Sequence, residues 1–379
     1  MRIAIVQGTR PEIIKNFPLV RALSAAHVPF EVLHTNQHST AAMSGDVYDE
    51  MGYAPDRCLA EPYRLGSAIN WLQSVLVHDH IDHVIVNGDT AASLAGAVSA
   101  IYLGIAVTHI EAGLRSGDRI MLEERNRITV DSLSTLLFAY TDYERSALSR
   151  SPDVRGTVFV EGNTSVDVLD ALSSRIDHAA VCEAPYLFVT MHRKEFTDSP
   201  GRMASVFEEL ARIAASTCPV VFPVHPRTAD AMRRHGISRR TLGPVRVLDP
   251  VGAIESLALQ KSASAVLTDS GCVQEEAYLL NVPCITIRDN TERHLTVLNG
   301  ANVVTGFIPQ RIRDAVNRAL AEPTGPWPEI YGAPGVGNRI VHRMLEHLQP
   351  GMQPKMDAGS LSRTGTVMPY PECCERQDR

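Results

Sequence analysis

Val266-Leu-Thr-Asp-Ser-Gly-Cys-Val-Gln-Glu-Glu-Ala-Tyr-Leu-Leu280 is the stretch that decides how this chain is read. Ala265 to Leu267 is a short apolar run of buried-strand type, Thr268 to Gly271 a tight turn, and Val273 to Leu280 has helical spacing. Asp269 or Ser270 is placed to cap that helix. Free backbone N–H groups and the positive end of a helix dipole then meet at the end of a strand, a combination that suits a phosphate. Glu275 and Glu276, one to two turns further on, are placed to accept the hydroxyls of a ribose. Many such turns are only good helix capping, so the decision falls to the rest of the chain.

Outward from this stretch the same unit recurs. Ile3 to Val6 reads as a buried strand followed by Gly8-Thr-Arg-Pro-Glu12, where Thr9 and Glu12 form a capping box and Pro11 sits in the first turn of a helix running to about Ala25. Strands are expected near 30–34, 83–86, 106–110 and 157–160, and helices near 40–52, 67–79 and 123–136. After a break near 173–185 the pattern restarts, with strands near 186–189, 219–224, 245–248, 265–267, 283–287 and 301–304 and a helix at 309–321. Alternation at this spacing means parallel βαβ units. The expected class is α/β, with two Rossmann-like domains, 1–175 and 176–336, whose parallel sheets face a central cleft. A final helix at 337–349 is expected to pack back on the first domain, and 350–379 reads as a disordered tail.

Composition narrows the function. The 379 residues carry a net charge of −7, with 44% hydrophobic and 21% charged residues, which fits an ordinary soluble protein and not a nucleic-acid binder. Seven cysteines without a C-x-x-C pair fit neither a zinc site nor a disulfide framework, and point to a reducing cytoplasm. No apolar run approaches the length of a membrane span or a signal-peptide core. No Asp-x-Asp cluster is placed for a divalent metal, and the reading calls for no cofactor.

The polar residues at the strand ends carry the chemistry. Arg10, Asp89, Glu111, His192, His225, Asp269, Ser270 and Arg293 each stand at or just past the end of an expected strand. An Asp in that place is usually a helix cap and a lone His is usually no ligand, but eight such residues on one face argue for a shared cleft. That face holds cations and donors for a diphosphate and carboxylates for proton transfer.

These residues fall in motifs that resemble the UDP-N-acetylglucosamine 2-epimerase family: Gly8-Thr-Arg-Pro-Glu-Ile-Ile-Lys15, Asn87-Gly-Asp-Thr90, His109-Ile-Glu-Ala-Gly-Leu-Arg115, Glu123-Glu-Arg-Asn-Arg127, Gly162-Asn-Thr164, His192-Arg-Lys-Glu195, Thr268-Asp-Ser-Gly271 with Gln274-Glu-Glu276, and Arg288-Asp-Asn-Thr-Glu-Arg293. They run in the family's order from residue 2 to about 348. The resemblance implies a GT-B fold, a homodimer, and a reaction in which UDP is eliminated to give 2-acetamidoglucal and then returns after reprotonation at C2. It implies that Arg10, His192, Ser270, Gly271 and Arg293 hold the diphosphate, that Glu276 takes the ribose and that Lys15 supports the N-terminal loop. Asp89, Glu111 and Glu123, with His192, would form the catalytic set. Gln37, Arg193 and His225 match a second, activating nucleotide-sugar site, while Thr40 stands where that site expects a Gln.

The chain departs from the pattern at Leu122, Met191, Cys272 and His294-Leu295. Asn87-Gly-Asp-Thr90 favours the non-hydrolysing branch. The alternatives are a hydrolysing enzyme releasing ManNAc and UDP, a 2-epimerase of a modified UDP-sugar, a GT-B glycosyltransferase, and a nucleotide-sugar sensor without catalysis.

Overall fold

Short runs of Val, Ile and Leu bounded by turn residues can bury both faces only if helices cover a sheet on each side, and the chain does this twice. A computed structural model describes residues 1–38, 44–179, 183, 185–322 and 325–348. The tail expected at 350–379 and the call on Thr40 lie outside them.

In the first half β1 (Ile3–Gln7), α1 (Arg10–Ala25), β2 (Phe30–His34), α2 (Gly45–Met51), β3 (Arg57–Cys58), α3 (Leu65–His78) and β4 (His83–Asn87) follow in order. They continue into α4 (Ala91–Tyr102), β5 (Ala106–Ile110), α5 (Leu122–Leu133), β6 (Leu136–Ala139), α6 (Asp142–Ser149), β7 (Thr157–Val160) and α7 (Ser165–His178). The sheet is parallel in the order β3-β2-β1-β4-β5-β6-β7.

The second half holds β8 (Leu187–Thr190), α8 (Lys194–Thr197), α9 (Pro200–Ser216), β9 (Val220–Pro223), α10 (Pro226–Arg234), β10 (Arg246–Leu248), α11 (Ala253–Ser262) and β11 (Ala265–Thr268). Then come α12 (Gly271–Leu279), β12 (Cys284–Thr286), α13 (His294–Leu298), β13 (Asn302–Val304) and α14 (Pro309–Ala321). Its parallel order is β10-β9-β8-β11-β12-β13. The reversal of strand order beside β1 and again beside β8 opens a crevice at the carboxyl ends of each sheet, and the two crevices face each other.

The chain crosses between the halves twice, after α7 and again before α15 (Val336–Leu348). Val336, Ile340, Val341 and Met344 of α15 are buried with Leu19 and Leu23 of α1, so this helix packs on the first half of the chain. Gly337 permits the approach, because a Cβ there would stand 2.9 Å from the Pro18 backbone. The Asp167 carboxylate accepts from the N–H groups of Gly335, Val336 and Gly337, at 2.7, 3.1 and 2.8 Å, and so caps α15 from a neighbouring helix.

Two elements differ from the sequence reading. The helix expected at 123–136 ends at Leu133, and Leu136–Ala139 forms β6 between β5 and β7. No Gly or Pro marks the break; Ser134 turns extended, and pairing with two neighbouring strands overrides local spacing. The two-residue β3 was too short to register as a pattern. No helix among the described residues is long and apolar enough to cross a membrane.

Candidate active site

A cavity of about 300 Å³ lies between the two sheets and is lined from both domains. The first-domain wall is built by the turns after β1 and β4. Glu12 sews them together: one carboxylate oxygen accepts from the Gly8 and Thr9 N–H groups and the Thr9 hydroxyl, and the other from the Thr90 and Ser93 hydroxyls. Gly8 has to be glycine, since a Cβ would lie 2.1 Å from Thr35 Oγ1. Thr90 caps α4 by accepting from the Ser93 N–H, which leaves Asp89 free of that task. Asp89 instead takes the guanidinium of buried Arg127 and faces the cavity. Below this turn His109 donates from Nε2 to the Gly88 carbonyl and sets Nδ1 2.7 Å from Asp131. Glu123, at the second position of α5, is half-exposed on the wall, 3.8 Å from Arg193.

The second-domain wall is organised by α12. Neither Asp269 nor Ser270 caps that helix with its side chain, contrary to the sequence expectation. Asp269 turns away and accepts from the His192 and Arg193 N–H groups at 2.8 to 3.0 Å, pinning the turn after β8 to the turn after β11. Ser270 faces the cavity at the bare helix N-terminus. Arg10 reaches across from the first domain to the Val251 carbonyl at 2.9 Å, and burial lowers its pKa. Glu276 lines the cavity too; burial pushes its carboxyl up, against a hydrogen bond of 2.7 Å from Gln260. His192 stacks on His225 with ring centres 4.5 Å apart. Burial, aided by nearby cations, lowers His192 to about 3, His225 to about 2 and His38 to about 4, so all three are neutral beside Arg10, Arg193 and Arg227.

One layer below the wall the charges are denser. Glu111 has a left-handed backbone, φ 70°, strained for a residue with a Cβ and typical of a functional turn. One of its oxygens accepts from Lys15 at 2.6 Å and from the Tyr140 hydroxyl at 2.9 Å; the other accepts from Arg293 at 2.7 Å. Burial would raise this carboxyl, but Lys15 and Arg293 outweigh it and hold it down to about 2. Glu275 lies 2.8 Å from Lys15 and 2.5 Å from Arg293. Glu292 is surrounded by Arg288 at 2.9 Å, Arg293 at 3.5 Å, and Arg127 and Arg193 at 3.6 Å each. Burial opposes its ionisation, yet these arginines hold it well below the usual range.

Arg10, Lys15, Gln37, Asp89, Glu123, His192, Arg193, His225, Ser270 and Glu276 therefore share one cavity wall. Glu111, Gly271 and Arg293 are absent from that wall: Glu111 and Arg293 stand behind Lys15, and Gly271 packs near Glu292. Sequence reasoning gave no role to His38, Arg127, Tyr140 or Glu292. Arg127 and Glu292 were inside the quoted motifs, while nothing near Tyr140 signals that its hydroxyl reaches Glu111.

Known proteins resemble this chain over most of its length. The family model described as UDP-N-acetylglucosamine 2-epimerase matches residues 21–345. The UDP-N-acetylglucosamine 2-epimerase of Methanocaldococcus jannaschii is 36% identical over 359 residues, covering 90% of this chain and 98% of the relative. A solved structure of the M. jannaschii enzyme in complex with UDP-GlcNAc and UDP superposes with a TM-score of 0.86 at 35% identity, covering 91% of this chain and all of that one. The UDP-2,3-diacetamido-2,3-dideoxy-D-glucuronate 2-epimerase of Pseudomonas aeruginosa is 33% identical over 362 residues, covering 91% of this chain and 100% of the relative. With two parallel-sheet domains in the GT-B arrangement and a match over nearly all of its folded length, the chain belongs to the UDP-N-acetylglucosamine 2-epimerase family of UDP-sugar 2-epimerases.

Proposed function

We propose that this enzyme is a non-hydrolysing 2-epimerase that interconverts UDP-GlcNAc and UDP-ManNAc. The observation that carries the reading is the division of the cavity: a bare helix N-terminus with Ser270 and Arg10 on one side, and the carboxylates of Asp89 and Glu123 on the other. The first suits a diphosphate, and the second a sugar ring whose protons must move. Arg10, His192, Ser270 and Gly271 are assigned to the diphosphate, with Arg293 behind them, and Glu276 to the ribose. Lys15 stays at the junction of the two.

The C2 proton has no adjacent carbonyl, so it becomes acidic only as UDP leaves and C1 gains positive character. Charge gathers on the departing diphosphate, where each preorganised donor is worth about 3 kcal/mol. Asp89 and Glu123 are assigned to proton exchange at C2 on the wall. Glu111, ionised and one layer deeper, is assigned to face the positive charge at C1. Gln37, Arg193 and His225 are kept as a second nucleotide-sugar site at the same cavity's edge. The dimer expected of the family belongs to the same proposal; exposed Val77 on α3, Ile101 and Tyr102 on neighbouring α4, and Leu103 just after it are apolar side chains open to such a contact.

Proton NMR of UDP-GlcNAc in D2O tests the reaction. Deuterium should enter C2 as UDP-ManNAc appears. Asp89→Asn should lower turnover by at least about 10²-fold with UDP binding kept; exchange at the parent rate in that variant sinks the assignment. Free ManNAc as the product would make it the hydrolysing type. The second reading, a modified UDP-sugar as substrate, draws on the P. aeruginosa relative and on Leu122 and Cys272 at the cavity wall.

A further inference from the structure

Four buried charges, Lys15 on the cavity wall and Glu111, Glu275 and Arg293 behind it, form a closed ring of alternating sign. Lys15 Nζ lies 2.6 Å from Glu111 and 2.8 Å from Glu275; Arg293 lies 2.7 Å from Glu111 and 2.5 Å from Glu275. No side chain in the ring is more than 5% exposed. Glu111 and Lys15 come from the first domain, and Glu275 and Arg293 from the second. Glu111 receives aligned hydrogen bonds from both cations, whereas Glu275 meets the same cations at ion-pair distance without hydrogen-bond alignment. Glu275 does not reach the cavity, so its charge acts on the site only through its neighbours.

We infer that Glu275 is a positioning residue for the reaction: its carboxylate cancels one of the two cations pressed on Glu111, so that the ring is neutral and Glu111 still presents negative charge toward the sugar. Without Glu275 the ring itself carries a net +1 beneath a sugar that is becoming positive, and Glu292, 3.5 Å from Arg293, is already shared with Arg288, Arg127 and Arg193. A buried unit charge is screened far less than one in water, so the penalty falls on the transition state. The bound diphosphate of UDP, by contrast, is favoured by that extra positive charge. Loss of Glu275 therefore pulls binding and turnover in opposite directions, which general structural damage does not do. The inference rests on the reading that the charge of Glu111 serves the reaction.

The experiment compares Glu275→Gln, which keeps shape and removes charge, with Glu275→Asp, which keeps charge and loses a methylene. The expected result is a kcat at least tenfold lower for Glu275→Gln, UDP affinity by calorimetry unchanged or tighter, and a kcat for Glu275→Asp well above that of Glu275→Gln. A folded Glu275→Gln variant with kcat within twofold of the parent overturns the inference, as does a Gln variant more active than the Asp variant. Should Glu275→Gln fail to fold, the double variant Lys15→Met with Glu275→Gln restores a neutral Glu111–Arg293 pair and is expected to fold, read by its thermal melt. A double variant no more stable than the single one overturns the charge argument. Glu111→Gln separates the two levels: parental turnover there removes the reading of Glu111 itself, whereas a crippled Glu111→Gln beside a normal Glu275→Gln removes only the role of Glu275.

Discussion

Arg10 crosses the cleft with one hydrogen bond to a carbonyl and no ion pair among the described contacts, and burial already weighs against its charge. A cation in that position gains from an arriving anion. Arg10→Ala is expected to cost about 1.5–3 kcal/mol of UDP binding, the value of a charge-assisted hydrogen bond left unmade, as read by calorimetry. His83 makes the opposite point, a titratable group kept neutral by burial alone. Its Nε2 meets Thr108 at 2.7 Å, its side chain is fully enclosed, and its pKa is lowered to about 3. The unfolded chain binds a proton below about 6.5 that the fold refuses, so this contribution is complete above that pH and is lost as acid is added, at about 1.4 kcal/mol per pH unit. His83→Asn should therefore flatten the decline in urea-melt stability between pH 6.5 and 5 by about 2 kcal/mol, and an unchanged decline would remove His83 as its source. At this scale the sequence located the polar residues well, because strand ends are legible from periodicity. It did not rank them by depth. Glu111 and Asp269 look alike beside Asp89 on the page, yet Asp89 faces the cavity while the other two are buried under their own partners.

At the scale of elements, α12 was legible in its start but not in its capping: the turn reads as an Asp or Ser cap, and the free donors arise because neither side chain serves it. β6 was missed for a related reason, since Leu136–Ala139 continues a helix in spacing and only its two sheet neighbours make it a strand. The final helix runs Val336–Leu348. Its anchoring by Asp167 could not be read, because donor and acceptor are about 170 residues apart. Asp167→Ala leaves three N–H groups without their acceptor and is expected to destabilise the fold by about 1–3 kcal/mol. Urea unfolding checks this, and a loss below a few tenths would show that water serves the α15 terminus as well as Asp167 does.

For the whole molecule, the two-domain design followed from the restart of the βαβ pattern, while α7 runs on to His178, into the stretch 173–185 where a break was expected. The halves meet through buried ion pairs, Arg293 to Glu111, Lys15 to Glu275 and Arg127 to Glu292, and through apolar contacts of Ile13, Val47 and Met51 with Ile254 and Leu257 and of Tyr140 with Tyr278. Relative motion is the default expectation for two domains that meet over a ligand cleft. Closure around a nucleotide is thus expected, with small-angle scattering showing a smaller radius of gyration once UDP is added; the same radius with and without UDP would count against it. The return of α15 sets the form of that motion. Domains joined by one strand of chain can swivel in any direction, as a ball turns in a socket. Joined at two separate points, they behave like a door on two pins, with one axis of rotation and little freedom to slide or twist. The four members of the charge ring, two on each leaf, then meet in the same order at every closing, with no need to search for their partners.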